Sequence, residues 1–283
     1  MVVVLALVSA LLYGLSDFVG GLVSRRVSAW PAAVVGQLSS TVCTAAVALF
    51  LTGDPTPAHL AWGALAGVGA GTGTAFLYRG LSSGRMGVVA PVSAVGAAIV
   101  PVAVGALGGE RPGALMWLGI VLAILAIWLI STVPGGPVDP VEKERGSLAE
   151  GLVDGVLAGL GFGGLFAALG QVPDSAGLWP LALAQACSVL AVIGLALALR
   201  KQWVPRGRGL AWAGITGPLG ASATLAFLLA TQHGFLTLAG VLASFYPAAT
   251  VLLAVAVLGE RIHRSQGIGL ALAAVTVTLV SLS

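Results

Sequence analysis

The sequence predicts an all-α integral membrane protein, with ten transmembrane helices arranged as a 5+5 inverted-topology repeat. Three observations lead there: composition, an internal repeat and the placement of basic residues. Of the 283 residues, 58% are hydrophobic and 8% charged, and mean hydropathy is +1.04. A soluble domain carries about 25% charged residues, so there is no room for a sizeable water-facing one. A net charge of +3 would suggest a nucleic-acid partner in a soluble chain. Here the basic residues lie between apolar stretches, where they orient helices against the membrane potential and anionic lipid. The implied partners are the bilayer and a small solute, with no nucleic acid.

The repeat is visible by eye. Trp30-Pro31 returns as Trp179-Pro180, and Ala61-Trp62-Gly63 as Ala211-Trp212-Ala213. Gly109-Glu110-Arg111 returns as Gly259-Glu260-Arg261, with Gly119 matched by Gly269. Each copy holds an odd number of apolar stretches, so the second copy enters the bilayer from the opposite side. Inverted repeats of this kind mark secondary transporters, whose solute site lies between the halves.

A membrane helix needs about 20 apolar residues. On that ruler the first repeat, 1–132, contains spans at 2–23, 31–52, 60–81, 87–108 and 114–132. The second, 151–283, contains spans at 151–170, 179–199, 209–231, 237–258 and 266–282. Span one lacks the basic residues that precede a secretory signal's apolar core, and Arg25-Arg26 follow it, so it is read as retained. Turn chemistry joins the next spans: Gly53-Asp54-Pro55, Ser82-Ser83-Gly84 and Arg111-Pro112-Gly113. The linker 133–150 is Pro/Gly-punctuated and charged, with Pro134-Gly135-Gly136-Pro137 ahead of Glu142-Lys143-Glu144-Arg145.

Basic residues test this count. Arg25, Arg26, Arg79, Arg85, Lys143, Arg145, Arg200, Lys201, Arg206, Arg208, Arg261 and Arg264 all fall at the ends of spans one, three, five, seven and nine or in the loops that follow them. That is 12 of the 13 lysines and arginines; the other side has Arg111 alone. Basic loops stay cytoplasmic. Both termini are therefore expected outside the cytoplasm and the 133–150 linker inside. Arginine outnumbers lysine 11 to 2, which with abundant Ala, Gly and Val hints at a GC-rich bacterial genome and hence a bacterial cytoplasmic membrane.

These features resemble the drug/metabolite transporter superfamily, in its ten-span form built from two EamA domains. The most specific marks are Gly109-Glu110 and Gly259-Glu260, each closing the fourth span of its repeat, followed by Gly119 and Gly269. The resemblance covers nearly the whole chain. It implies a helical bundle with a central cavity and movement of small organic solutes, without naming the solute. Many relatives are expected to keep their termini in the cytoplasm; the charges here argue the reverse.

Polar side chains inside spans are costly and face the bundle interior. Tyr13, Ser16 and Asp17 lie on span one, Gln37 on span two, Tyr78 on span three and Gln185 on span seven. Interhelical hydrogen bonding explains each singly; as a set they favour a polar-lined pocket. Prolines interrupt spans four, eight and nine at Pro91, Pro101, Pro218 and Pro247. Broken helices at matching places in two repeats point to a transporter site, so Ser93 beside Pro91, and Ser244 and Tyr246 beside Pro247, join the cavity candidates. Asp17 is read as the one carboxylate well inside a span, either carrying a coupling proton or pairing with Arg25 or Arg26. Arg79 is expected to snorkel to the cytoplasmic edge. Glu110 and Glu260 each precede a helix start, where a carboxylate meets free backbone N–H groups. Small-xxx-small spacings such as Gly63–Gly67–Gly71 and Gly155–Gly159–Gly163 let backbones approach, and could also let the two repeats slide.

The expected function is a secondary transporter working by alternating access, with export favoured over uptake and either proton coupling or facilitated diffusion as its energetics. No P-loop is present, so ATP is not the direct energy source. Gly159 to Gly164 matches a dinucleotide pattern but no strand precedes it, and no cofactor is implied. Cys43 and Cys187 lie inside apolar spans and suggest neither a disulfide nor a metal site. A monomer suffices. The rivals are an uptake permease, a channel-like facilitator, and an intramembrane enzyme using Ser222 and His233; for the last, no Gly-x-Ser-x-Gly elbow is present.

Overall fold

The computed structural model describes residues 1–24, 27–82, 86–132, 148–206, 208–259 and 261–282. Ten segments are helical, long and apolar enough to cross a membrane. The helices are α1 Val2–Ser24, α2 Ala29–Ala48, α3 Pro57–Ser82, α4 Met86–Leu107, α5 Ala114–Ser131, α6 Leu148–Leu169, α7 Trp179–Ala198, α8 Thr216–Gln232, α9 Leu236–Ala243, α10 Tyr246–Leu258 and α11 Arg264–Ser281. No strand occurs among the described residues. Most of the linker, 133–147, together with Arg25, Arg26, Arg85 and Glu260, lies outside them.

Two spans depart from single α-helices. The eighth begins as a 3-10 segment, Arg208–Ile215, before α8; Pro218 then sits in the first turn, where a missing N–H costs nothing. The ninth is split into α9 and α10 around Ser244 and Phe245. Pro247 lies in the first turn of α10, and the Ser244 Oγ donates to the Gly240 carbonyl. The expectation of a matching break in span four does not hold. There α4 runs through both Pro91 and Pro101. The Pro101 ring instead packs against Gly240 of α9, where a Cβ would collide with it.

The end of α4 explains the Gly-Glu motif. Gly109 adopts φ +94°, a left-handed conformation that glycine tolerates. The chain folds back, and the Glu110 amide donates to the Gly105 carbonyl at 3.0 Å. Gly259 closes α10 the same way, at φ +68°.

Packing does not follow the order of the repeats. α6 packs on α3 and α4, and α3 also packs on α7. The counterpart set, related by exchange of the repeats, joins α1 to α8, α9 and α10, and α2 to α8. Each bundle therefore takes two spans from each repeat. The two bundles touch mainly along α2–α7 and α4–α9, while α5 pairs with α11. The small-residue rows are seams inside the first bundle. Gly63, Gly67 and Gly71 of α3 lie on Pro180, Ala184 and Ser188 of α7, and Gly159 of α6 lies on Gly96 of α4. They join the two repeats closely and are not a surface on which one bundle slides past the other. A Cβ at Gly67 would meet backbone of α7. Gly67→Val is expected to lower stability in detergent by about 1–3 kcal/mol through overpacking, read as a drop in Tm. An unchanged Tm would contradict the seam.

Contacts fix which loops share an end. Asp54 N donates to Ser175 O at 2.9 Å, Glu110 reaches Leu236, and Gly234 lies beside Val2. The amino terminus thus shares an end with the loops after α2, α4, α6 and α8. Trp30, Ala75 and Ala196 cluster at the other end, with Leu199 and Trp203 packed against them. Arg79, Arg200, Lys201, Arg206, Arg261 and Arg264 belong to this second, basic end. Leucines and valines such as Leu11, Val42, Val121, Leu160 and Leu190 remain exposed, as helices facing lipid require.

Candidate solute-binding cavity

Between the bundles, α1 and α8 face α3 and α6 across a cavity of about 130 Å³, on the order of ten times the space one water occupies. The walls follow from the elements. From α1 come Tyr13, Ser16, Asp17 and Gly20; from α2, Gly36, Gln37 and Ser40; from α3, Thr74 and Tyr78. The lining is completed by Phe162 and Phe166 of α6, Gln185 of α7, Thr216 and Thr224 of α8, and Tyr246 at the start of α10. The spacing of Tyr13, Ser16, Asp17 and Gly20 puts them on one side of α1. A second hollow, between α3, α4 and α6, has no ionisable side chain in its lining.

The cavity is shut at the end that holds the amino terminus. Phe166 stacks on Phe227 with centroids 4.4 Å apart, and Tyr13 meets Phe166 edge-on at 5.9 Å. The Tyr13 hydroxyl shares a 2.9 Å hydrogen bond with Thr224. Beyond this stack lies the largest buried core, including Leu169, Leu228 and Leu236. Toward the basic end the lining continues through Val23, Ala32 and Ala213.

Asp17 is exposed to this space, and no described residue forms an ion pair with it. All three tyrosines of the chain lie within electrostatic reach of it. The Ser16 Oγ donates to the Thr216 carbonyl at 3.2 Å. Ser40 Oγ is buried with no hydrogen-bond partner among the described residues, a group that a solute or water would satisfy.

A helical bundle with a central hollow occurs in several membrane protein classes. The EamA-like transporter family matches residues 1–132 and again 150–282, nearly the whole chain in two copies. The chain belongs to the EamA-like transporter family. It is a multi-pass membrane transporter of the drug/metabolite transporter superfamily. A solved crystal structure superposes on this EamA-like transporter with a TM-score of 0.75, over 99% of this chain and 96% of that one, at 16% identity. At that identity the likeness speaks for the fold. No curated protein matches the chain significantly.

Among the residues singled out in the sequence of this EamA-like transporter, Tyr13, Ser16, Asp17, Gln37, Tyr78, Gln185 and Tyr246 line one cavity. Ser93 and Ser244 do not. Both are buried, and their hydroxyls donate to carbonyls of their own helices, Ala90 at 3.0 Å and Gly240 at 2.8 Å. Thr74, Thr216 and Thr224, and the aromatic floor of Phe162 and Phe166, were not singled out. Their signal is weak, since threonine and phenylalanine are ordinary in membrane helices.

Three readings are corrected. Asp17 is not the most buried carboxylate: Asp154 of α6 is 1% exposed, whereas Asp17 is open to the cavity. Arg79 does not snorkel freely; it forms an ion pair with Asp154 through Nε and Nη2, and its guanidinium lies 4.7 Å from the Phe76 ring centroid. Glu110 does not cap α5, the next helix. Its carboxylate accepts from the amides of Leu236, at 2.5 Å, and Thr237, at 2.9 Å, so it caps α9 of the opposite repeat. The fold-back at Gly109 turns the side chain that way. Glu110→Gln is expected to cost about 1–2 kcal/mol, seen as a lower Tm and folded yield with solute affinity little changed. A fully stable mutant that lost binding would contradict the capping role. The supposed dyad also fails: Ser222 and His233 are separated along α8 by roughly 16 Å at its helical rise, and the His233 ring contacts the Leu229 carbonyl at 2.7 Å.

Proposed function

We propose that this protein is a secondary carrier that moves a small organic solute across a bacterial cytoplasmic membrane by alternating access, in the export direction. The observation that supports it best is the cavity between two bundles, closed at one end by the Tyr13–Phe166–Phe227 stack. A carrier needs a site sealed from one side at a time, and bundles related by exchange of the repeats can seal it at either end. The solute contacts are Tyr13, Ser16, Gln37, Tyr78, Gln185 and Tyr246, with Asp17 carrying the coupling proton. A channel would instead need a ring of like charges or a filter loop.

The concentration of basic residues at one end supports placing that end, with the linker 133–150, in the cytoplasm and both termini outside. In this reading the structure is open inward. Single cysteines in the linker are expected to react with an impermeant thiol reagent only after permeabilisation, and labelling of intact cells would overturn the orientation. The transport reading is tested by counterflow. Amino acids, sugars and amphipathic cations are first screened for thermal stabilisation of the purified protein. The strongest is then followed as a radiolabelled solute in proteoliposomes. Saturable uptake accelerated by unlabelled solute inside is the expected result; non-saturating flux without acceleration would refute a carrier.

A further inference from the structure

One carboxylate, that of Asp17, is found among the described residues that line the cavity. Among its described lining residues there is no Lys, Arg or His. The nearest cation on α3, Arg79, is occupied by Asp154 and Phe76. Asp17 faces the cavity, and every tyrosine of the chain, from α1, α3 and α10, lines the same cavity. Phe162 and Phe166 of α6 add aromatic side chains to the lining.

This combination selects for charge and for type of cation. A carboxylate in a largely apolar space repels anionic solutes and attracts cations. A metal ion would need a cluster of oxygen or nitrogen ligands, and no group of three or more such side chains occurs among the described residues. Aromatic faces instead accommodate a cation whose charge is spread over methyl or alkyl groups, because the ring quadrupole attracts it without requiring directed hydrogen bonds. From this geometry we infer that the cavity binds an organic ammonium ion, its head between the tyrosine rings and its charge against Asp17. The inference rests on the carrier reading for its place in transport, but binding itself does not.

Equilibrium binding of tritiated choline to the purified full-length protein tests it, with 3,3-dimethylbutan-1-ol, the uncharged isostere, as competitor. Unlabelled choline is expected to displace the tracer at concentrations at least about tenfold below those the alcohol needs. Asp17→Asn should weaken choline binding by about tenfold or more, and Asp17→Glu should restore most of it. Tyr78→Phe, which keeps the ring, should change affinity by no more than about twofold, while Tyr78→Leu should lose about tenfold. Size-exclusion profiles and Tm confirm that each variant is folded. Equal competition by choline and the alcohol, or undiminished choline binding by folded Asp17→Asn, would overturn the proposal. Choline bound as expected but not moved in counterflow would retain the site and refute the carrier. Counterflow of a neutral or anionic solute with no choline binding would retain the carrier and refute the site.

Discussion

Asp17→Asn is expected to abolish accumulation driven by a pH gradient in proteoliposomes, while exchange stays measurable once solute is raised above its weakened affinity. The reason is placement. Asp17 is the carboxylate among the described cavity-lining residues, and it faces the hollow. A carboxylate that meets the cavity from whichever end is open can take up a proton on one side and release it on the other. The alternative is a pairing with Arg25 or Arg26, and there the same change should cost stability and leave coupling intact. Flux with and without an imposed gradient separates the two. Unchanged gradient-driven uptake by the mutant would remove Asp17 from coupling.

The second large effect is expected at Arg79. Asp154 is almost wholly buried and Arg79 is 32% exposed, so the carboxylate depends on its partner more than the guanidinium does. Arg79→Leu takes the guanidinium away from a buried carboxylate, at a cost of about 3–5 kcal/mol. Asp154→Asn leaves Arg79 able to turn to the basic edge and should cost less. The double mutant Arg79→Leu, Asp154→Asn should recover much of the loss seen in Arg79→Leu alone. Thermal unfolding of the three variants measures this. If the double mutant were as unstable as the sum of the single changes, the pair would not be coupled.

The reach of the sequence can be seen at these residues. The spans were legible because a 20-residue apolar stretch has few alternatives to a membrane helix. The tyrosines and Asp17 were legible because a polar group in a span must face protein. The Arg79–Asp154 pair was missed, although its signal was present: the end of span three and the start of span six lie at the same basic end. What the sequence does not contain is which spans touch. Glu110 was expected to serve α5, its neighbour in the chain, and serves α9 because the repeats interlock. Likewise proline marked spans four and nine alike. Only span nine breaks; α4 continues through both of its prolines, and the Pro101 ring packs on Gly240 of α9.

Under the proposed alternating access, residues deep in the cavity meet water from one end at a time. Thr74 of α3 lines the cavity without a proposed solute contact. Thr74→Cys, in a chain with Cys43 and Cys187 replaced by alanine, reports this through an impermeant thiol reagent applied to sided vesicles. The account predicts labelling from the basic end in the resting protein. When a saturating solute gradient draws the carrier outward, labelling from the opposite end should rise as that from the basic end falls. Labelling from both ends that is insensitive to solute, as in an open pore, would contradict it.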